Sequence, residues 1–345
     1  MSNPLFVHLS SFSEADWLSS IGQLLPSIHE VDRDAVQIWF RFYPLDLHRC
    51  LTNSENQAEA RHAIAMQGDF GLAARIDSSH YFLFGHRYWP EVKAAIEKRA
   101  VSSESGFENL ESEIVKIADS AASAAGIESS LTIAISAVGL MTFAQVGLEA
   151  LIAASGKTKK PTGIMAKSPE KIAAIRSADD SQGLFGFLRT INKKFSVIFD
   201  EYNRDSRFEV IEGEEIASAS QRDHSQNWQE RDIRCWNGPV PIECTAASCG
   251  TCWVGILGGA EKVSEVAPRE RRAMKVFGYN QPEAERPFLR LACQAKATGN
   301  VTIVIPPWNA VFGKKVRGNV DELELEPATS SAKKLRETIA SVSGE

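Results

Sequence analysis

Six cysteines occur in this 345-residue chain, and four of them stand where they could do chemistry together. The run Cys244-Thr-Ala-Ala-Ser-Cys249-Gly-Thr-Cys252 sets three thiols in one short loop, and forty residues later Arg290-Leu-Ala-Cys293-Gln294 supplies a fourth. In a rhomb of two irons and two sulfides each iron takes two thiolates, so a tight loop can give three sulfurs while the last arrives from a distant segment. Small residues fill the spaces between the first three: Thr245, Ala246, Ala247, Ser248, Gly250 and Thr251. They allow the backbone to wrap closely and to turn its N–H groups toward the sulfurs, which stabilises the added negative charge of a reduced cluster. The expected centre is therefore a [2Fe-2S] cluster on Cys244, Cys249, Cys252 and Cys293.

Two rival chemistries share these residue types. Cys249-Gly-Thr-Cys252 has the spacing of a redox dithiol, but that chemistry uses two thiols, opens a helix after a strand, and leaves Cys244 and Cys293 without a role. A structural zinc ion would take four thiolates, although usually as two close pairs and not as a triplet with a distant singlet. Disulfides are disfavoured, because residues 1–20 lack the basic start, apolar core and small-residue cleavage site of a secretory signal; a cytoplasmic location is expected. Cys50 and Cys235 fall outside the set and read as small buried hydrophobes, with Cys235 near enough in sequence to be a spare ligand.

On these motifs, residues 194–307 resemble a [2Fe-2S] ferredoxin domain of the β-grasp type, the match running through Pro241-Ile-Glu-Cys244 and through Arg290-Leu-Ala-Cys293 to Pro306. The resemblance covers about a third of the chain. It implies that Cys244, Cys249, Cys252 and Cys293 are the cluster ligands and that the protein is an electron carrier and not an enzyme. It further implies that a reductase and an acceptor dock near the cysteine loop, at a potential of roughly −400 mV. The loop spacing is that of plant-type members, whereas the forty-residue gap is nearer that of adrenodoxin-like members. Plant-type loops usually carry glycine where Ala247 stands, so a left-handed backbone there is expected to be disfavoured and the loop reshaped. Acidic docking faces are usual in both groups, but Arg269, Glu270, Arg271, Arg272 and Lys275 make a basic helix here.

The elements that must position the cysteines can be read independently. Residues 195–199 and 208–211 form a predicted hairpin around the turn-rich 201–206, and 254–257 and 301–305 supply two further strands. Helices are expected near 214–220 and 269–276, between strands and not after each one, which makes this half an α+β unit. The polar stretch 221–237 reads as a surface insertion that could dock a partner.

Residues 1–190 read mainly as helices. Ser13-Glu-Ala-Asp16 has capping-box spacing, and Pro90 stands in the first turn of another helix. His48, His62, His80 and His86 show no paired metal spacing and are expected to be satisfied structural histidines. The aromatic runs 39–43 and 81–84 read as core. Segment 131–154 is long and apolar, followed at once by Lys157, Lys159 and Lys160. It is expected to be the buried helix of a bundle, with insertion into or docking on a membrane as the alternative.

The chain carries 38 Lys+Arg against 44 Asp+Glu, a net charge of −6. Within 191–320 the count is 18 basic to 16 acidic, so the cysteine-bearing half is not an acidic body. No nucleic-acid partner is expected. The absence of a G-x-G-x-x-G between strand and helix argues against a flavin or nicotinamide site of its own. The expected organisation is α+β: an all-α domain over 1–156, a linker and docking segment over 157–190, a β-grasp ferredoxin domain over 191–320 and an acidic tail over 321–345. The expected role is one-electron transfer, with a redox sensor or a membrane-anchored subunit of a larger oxidoreductase as alternatives.

Overall fold

The computed structural model describes residues 3–102, 106–178, 193–279, 284–313 and 316, so residues 179–190 of the expected linker and docking segment and the tail 321–345 lie outside the described residues. The described helices are α1 (Pro4–Ser10), α2 (Glu14–Leu24), α3 (Glu30–Phe42), α4 (Leu45–Thr52), α5 (Gln57–Ala63), α6 (Trp89–Val101), α7 (Leu110–Ala125), α8 (Ile133–Ala153), α9 (Pro169–Arg176), α10 (Ile216–Ser220), α11 (Trp228–Arg231) and α12 (Pro268–Phe277). The strands are β1 (Gln67–Gly68), β2 (Lys194–Ile198), β3 (Arg207–Ile211), β4 (Glu214–Glu215), β5 (Trp253–Gly258), β6 (Leu289–Leu291), β7 (Lys296–Ala297), β8 (Val301–Val304) and β9 (Trp308–Asn309). The protein is thus a mixed α+β chain with its helices concentrated toward the N-terminus and its sheet toward the C-terminus.

Contacts divide the chain into two compact units, one of residues 1–49 and 70–173, the other of 50–69 and 174–345. This differs from an uninterrupted helical domain over 1–156. Residues 50–69 belong to the second unit because β1 pairs with β9, and because Ile64 and Pro307 carbonyls accept from the N–H groups of Val311 and Asp69. Gly68 permits that pairing: at φ +80°, a Cβ there would run into the Pro307 carbonyl.

The second unit is built on a five-stranded sheet in the order β3-β2-β8-β5-β6. The β2–β3 hairpin is antiparallel, β8 runs parallel to β2, and β5 is antiparallel to both β8 and β6. The four strands expected from alternation and β-branched content are present. Short β6 is the one that pattern reading missed, because three residues carry too little periodicity to register. The stretch 221–237 is not a plain surface loop: Trp228 is buried with its ring 5.4 Å from that of Phe199, and Arg234 and Cys235 point inward.

Described residues of the first unit form helices without strands. Ser13 caps α2 through the expected box, its hydroxyl accepting from Asp16 N–H at 3.2 Å while the Asp16 carboxylate accepts from Ser13 N–H at 2.8 Å. Helix α8 packs on α1, α3, α6 and α7, and its residues from Ile133 to Ala144 are all buried. Gly139 allows α6 to approach, since a Cβ there would meet the Ile96, Trp89 and Val92 side chains within 3.2 Å. By length and composition α8 is also the one described helix able to cross a membrane. Its continuity breaks at Gly147 (φ 79°, ψ 174°).

His80 and His86 are buried and fully engaged, as expected of structural histidines. Lys159 N–H donates to His86 Nε2 at 2.8 Å, the two histidines share a proton between their Nδ1 atoms at 2.9 Å, and His80 Nε2 reaches the Ile76 carbonyl at 3.1 Å. This chain works with neutral rings of fixed tautomer: His86 accepts at Nε2 and donates at Nδ1, and His80 accepts at Nδ1 and donates at Nε2. Burial pushes both histidines below the ordinary 6.5, His86 to about 4, with Lys159 and Arg87 adding to the effect and Asp77 opposing it. An unfolded chain takes up protons below pH 6.5 that the folded ring refuses, so stability falls as pH drops from about 6.5 toward 4. Urea unfolding across that window should show the wild type losing about 3 kcal/mol more than a His86→Gln variant. Equal losses would remove His86 as the cause.

Candidate metal centre

Sheet pairing brings the distant cysteine to the loop. Cys252 lies immediately before β5 and Cys293 shortly after β6, and the antiparallel register sets Trp253 against Leu291. One residue further out, Ala292 N–H donates to the Cys252 carbonyl at 2.9 Å. The forty intervening residues form β5, then α12 and β6, so the sequence gap closes through two neighbouring strands. Cys244, Cys252 and Cys293 are buried, and Cys249 is half-buried beside the exposed Thr245 at the rim of the loop.

The sulfurs associate two by two. Cys249 donates to Cys244, which lowers the Cys244 thiol to about 5 and raises that of Cys249; Cys252 donates to Cys293 and shifts that pair in the same sense. Main-chain N–H groups converge on the same atoms: those of Ala246 and Ser248 on Cys244, that of Thr251 on Cys249 and that of Ala247 on Cys293. The Ser248 hydroxyl adds a contact to Cys244 Sγ at 3.4 Å. Such convergence of donors is what a set of buried thiolates requires.

Ala247 takes a left-handed backbone, φ 55°, contrary to the expectation that alanine would disfavour it. A left-handed residue among right-handed neighbours aims successive N–H groups into one concavity, and here those groups meet sulfur. The conformation costs roughly 1–2 kcal/mol for a residue with a Cβ. Its own N–H on Cys293 and those of its neighbours on Cys244 offset that cost.

Three supports hold this arrangement, and motif reading missed all of them because their partners are far apart in sequence. Glu270 of the basic helix α12 turns inward and pairs with Arg290 of β6, at 2.9 Å from Nε and 2.8 Å from a terminal nitrogen. Both are buried, Glu270 also accepts from Leu291 N–H at 2.8 Å, and Arg290 reaches the Ser264 carbonyl. The exposed face of α12 keeps Arg269 and Arg272. Gln294 straps the fourth cysteine to the loop, its amide donating to the Thr245 carbonyl at 3.1 Å. Asn309 of β9 reaches the carbonyls of Gly250 and Thr251 from the other side. Behind the loop, Trp253 lies 4.1 Å from Tyr279, and Phe277 packs against Gly250.

Cys235 stands apart from the four: its thiol donates to the Pro239 carbonyl at 3.1 Å, and burial pushes it up to about 12. Cys50 sits half-buried in α4. Among the described residues no group of three or more His, Cys, Asp and Glu side chains is arranged to hold a single metal ion. Four soft donors with converging N–H groups suit a thiolate-bound iron or zinc group and not a hard oxygen-preferring cation. Comparison with protein-family models, with curated proteins and with solved structures found no match for this chain.

Breaking the buried ion pair leaves one charge without compensation. Arg290→Met should cost about 3–5 kcal/mol in urea unfolding, and the double variant Arg290→Met/Glu270→Met should recover at least half of that loss. No recovery in the double variant would mean that the two residues are not coupled.

Proposed function

We propose that this protein carries a [2Fe-2S] cluster on Cys244, Cys249, Cys252 and Cys293 and passes single electrons between a reductase and an acceptor. The observation that carries the reading is that strand pairing brings the distant Cys293 to the three-cysteine loop, Ala292 N–H donating to the Cys252 carbonyl at 2.9 Å and the Gln294 amide to the Thr245 carbonyl at 3.1 Å. A close triplet with a distant fourth cysteine suits a two-iron rhomb, whereas structural zinc usually takes its ligands as two close pairs. When bound, such a cluster takes up and releases one electron without making or breaking a bond in the protein.

The chain's own residues supply the remainder. The N–H groups of Ala246, Ala247, Ser248 and Thr251 offset the extra negative charge of the reduced state and so raise its potential. Burial of Cys244, Cys252 and Cys293 keeps water from three of the sulfurs, while the rim at Thr245 and Cys249 stays open to a docking partner. Exposed Arg269 and Arg272 on α12 favour an acidic partner surface. A β-grasp ferredoxin fold for the second unit is part of the proposal. Its support is a mixed sheet whose first and last strands, β2 and β8, run parallel at the centre, with the cysteine loop leading into β5.

Anaerobic purification tests the reading. The full chain should be coloured and hold about two irons and two sulfides. Cys235→Ser should keep the visible spectrum and Cys249→Ala should abolish it. Zinc without sulfide, or a colourless protein after reconstitution with iron and sulfide, would refute the proposal.

A further inference from the structure

Asn309 is 2 % exposed, lies fifty-seven residues beyond the loop, and yet spends its side chain on it. Its Nδ2 donates to the Thr251 carbonyl at 2.5 Å and lies 3.5 Å from that of Gly250. The other end of the carboxamide is fixed as well, because Arg234 donates to Asn309 Oδ1 at 2.6 Å and to the Pro306 carbonyl at 2.9 Å. A guanidinium can only donate, so the oxygen must face Arg234 and the NH2 must face the loop; the amide has one workable orientation. Arg234 is itself set by Asp232, which accepts from Nε at 3.0 Å and from a terminal nitrogen at 2.6 Å. The strand bearing Asn309 is anchored from elsewhere in the chain, Gln67 pairing with Asn309 and Gly68 with Trp308.

The peptide joining Gly250 to Thr251 has its carbonyl within reach of Asn309 and its N–H on the sulfur of Cys249. A donor at the oxygen fixes the plane of that peptide and polarises the N–H at its other end. Holding the Thr251 carbonyl fixes the next peptide, the one leading into Cys252. We propose that Asn309, oriented by Arg234, is a positioning residue that keeps the Thr251 N–H on Cys249 and thereby raises the reduction potential and prolongs the lifetime of the centre. The proposal rests on the cluster reading given above.

Two variants of the full chain test it. Asn309→Asp keeps the volume and the partner of Arg234 but turns an acceptor toward two carbonyls; Asn309→Leu removes the donor without adding charge. Both should retain iron and sulfide, lower the reduction potential, alter the visible circular dichroism, and shorten the cluster's lifetime against a chelator by roughly threefold to tenfold, the factor set by one neutral hydrogen bond. A shift in Asn309→Asp alone would assign the effect to charge and overturn the proposal. Unchanged potential and dichroism in both would overturn it equally. Hydrogen exchange at the Thr251 amide of the metal-free chain gives a readout independent of the cluster: it should quicken in both variants, and an unchanged rate would refute the clamp. If the wild type itself takes up no iron and sulfide, the cluster reading fails, and the exchange result still decides whether Asn309 holds the loop.

Discussion

Buried sulfur that is to carry negative charge needs hydrogen-bond donors, and in this protein most of them are main-chain N–H groups, joined by the side chains of Ser248, Thr251 and Gln294. A main-chain donor cannot be aimed by choosing a side chain; it is aimed by fixing the backbone. The surroundings of the loop answer that demand. Ala247 accepts a left-handed conformation, Gln294 ties the fourth cysteine to Thr245, and Asn309 holds Gly250 and Thr251 from behind. Aromatic packing of Trp253, Phe277 and Tyr279 fills the space against which the loop is pressed.

The Glu270–Arg290 pair serves the same demand at one remove. Burying two charges is costly, and an apolar pair of similar volume would often be at least as stable. What the ions contribute in addition is geometry: the carboxylate binds the Arg290 fork and the Leu291 N–H at once, which fixes α12 on β6 and sets where Cys293 emerges. A helix that looks uniformly basic along the sequence therefore has two faces, one that orders the centre and one that presents Arg269 and Arg272 to the surroundings.

The helical unit obeys a different rule. Its interior contains large aromatic side chains together with a few buried polar groups, and the buried carboxylates and histidines among them are paired. Asp32 accepts from the N–H groups of Phe84 and Gly85, and Asp77 from Trp89 and Gly156. The His80–His86 chain is satisfied in its neutral form, which makes it a structural element with a built-in sensitivity to acid. Helix α8 is the apolar spine of this unit, enclosed by its neighbours along its first twelve residues.

Much of this was legible in the residues themselves. The close approach of Cys244, Cys249 and Cys252 in one loop is legible because small intervening residues and short chain distances are local properties. The capping box at Ser13, the hairpin of β2 and β3, and helices α10 and α12 are local for the same reason. Other features depend on pairing between distant segments, and pattern does not encode them: β1 on β9, which moves 50–69 into the second unit; Glu270 on Arg290; Arg234 on Asn309 and Asn309 on Thr251. Sequence determined which side chains could bind a metal group. The tertiary structure decided which thiols pair, which N–H groups reach them and what holds those groups in place, because hydrogen-bond geometry at a buried sulfur is set by backbone segments that meet only when the chain folds.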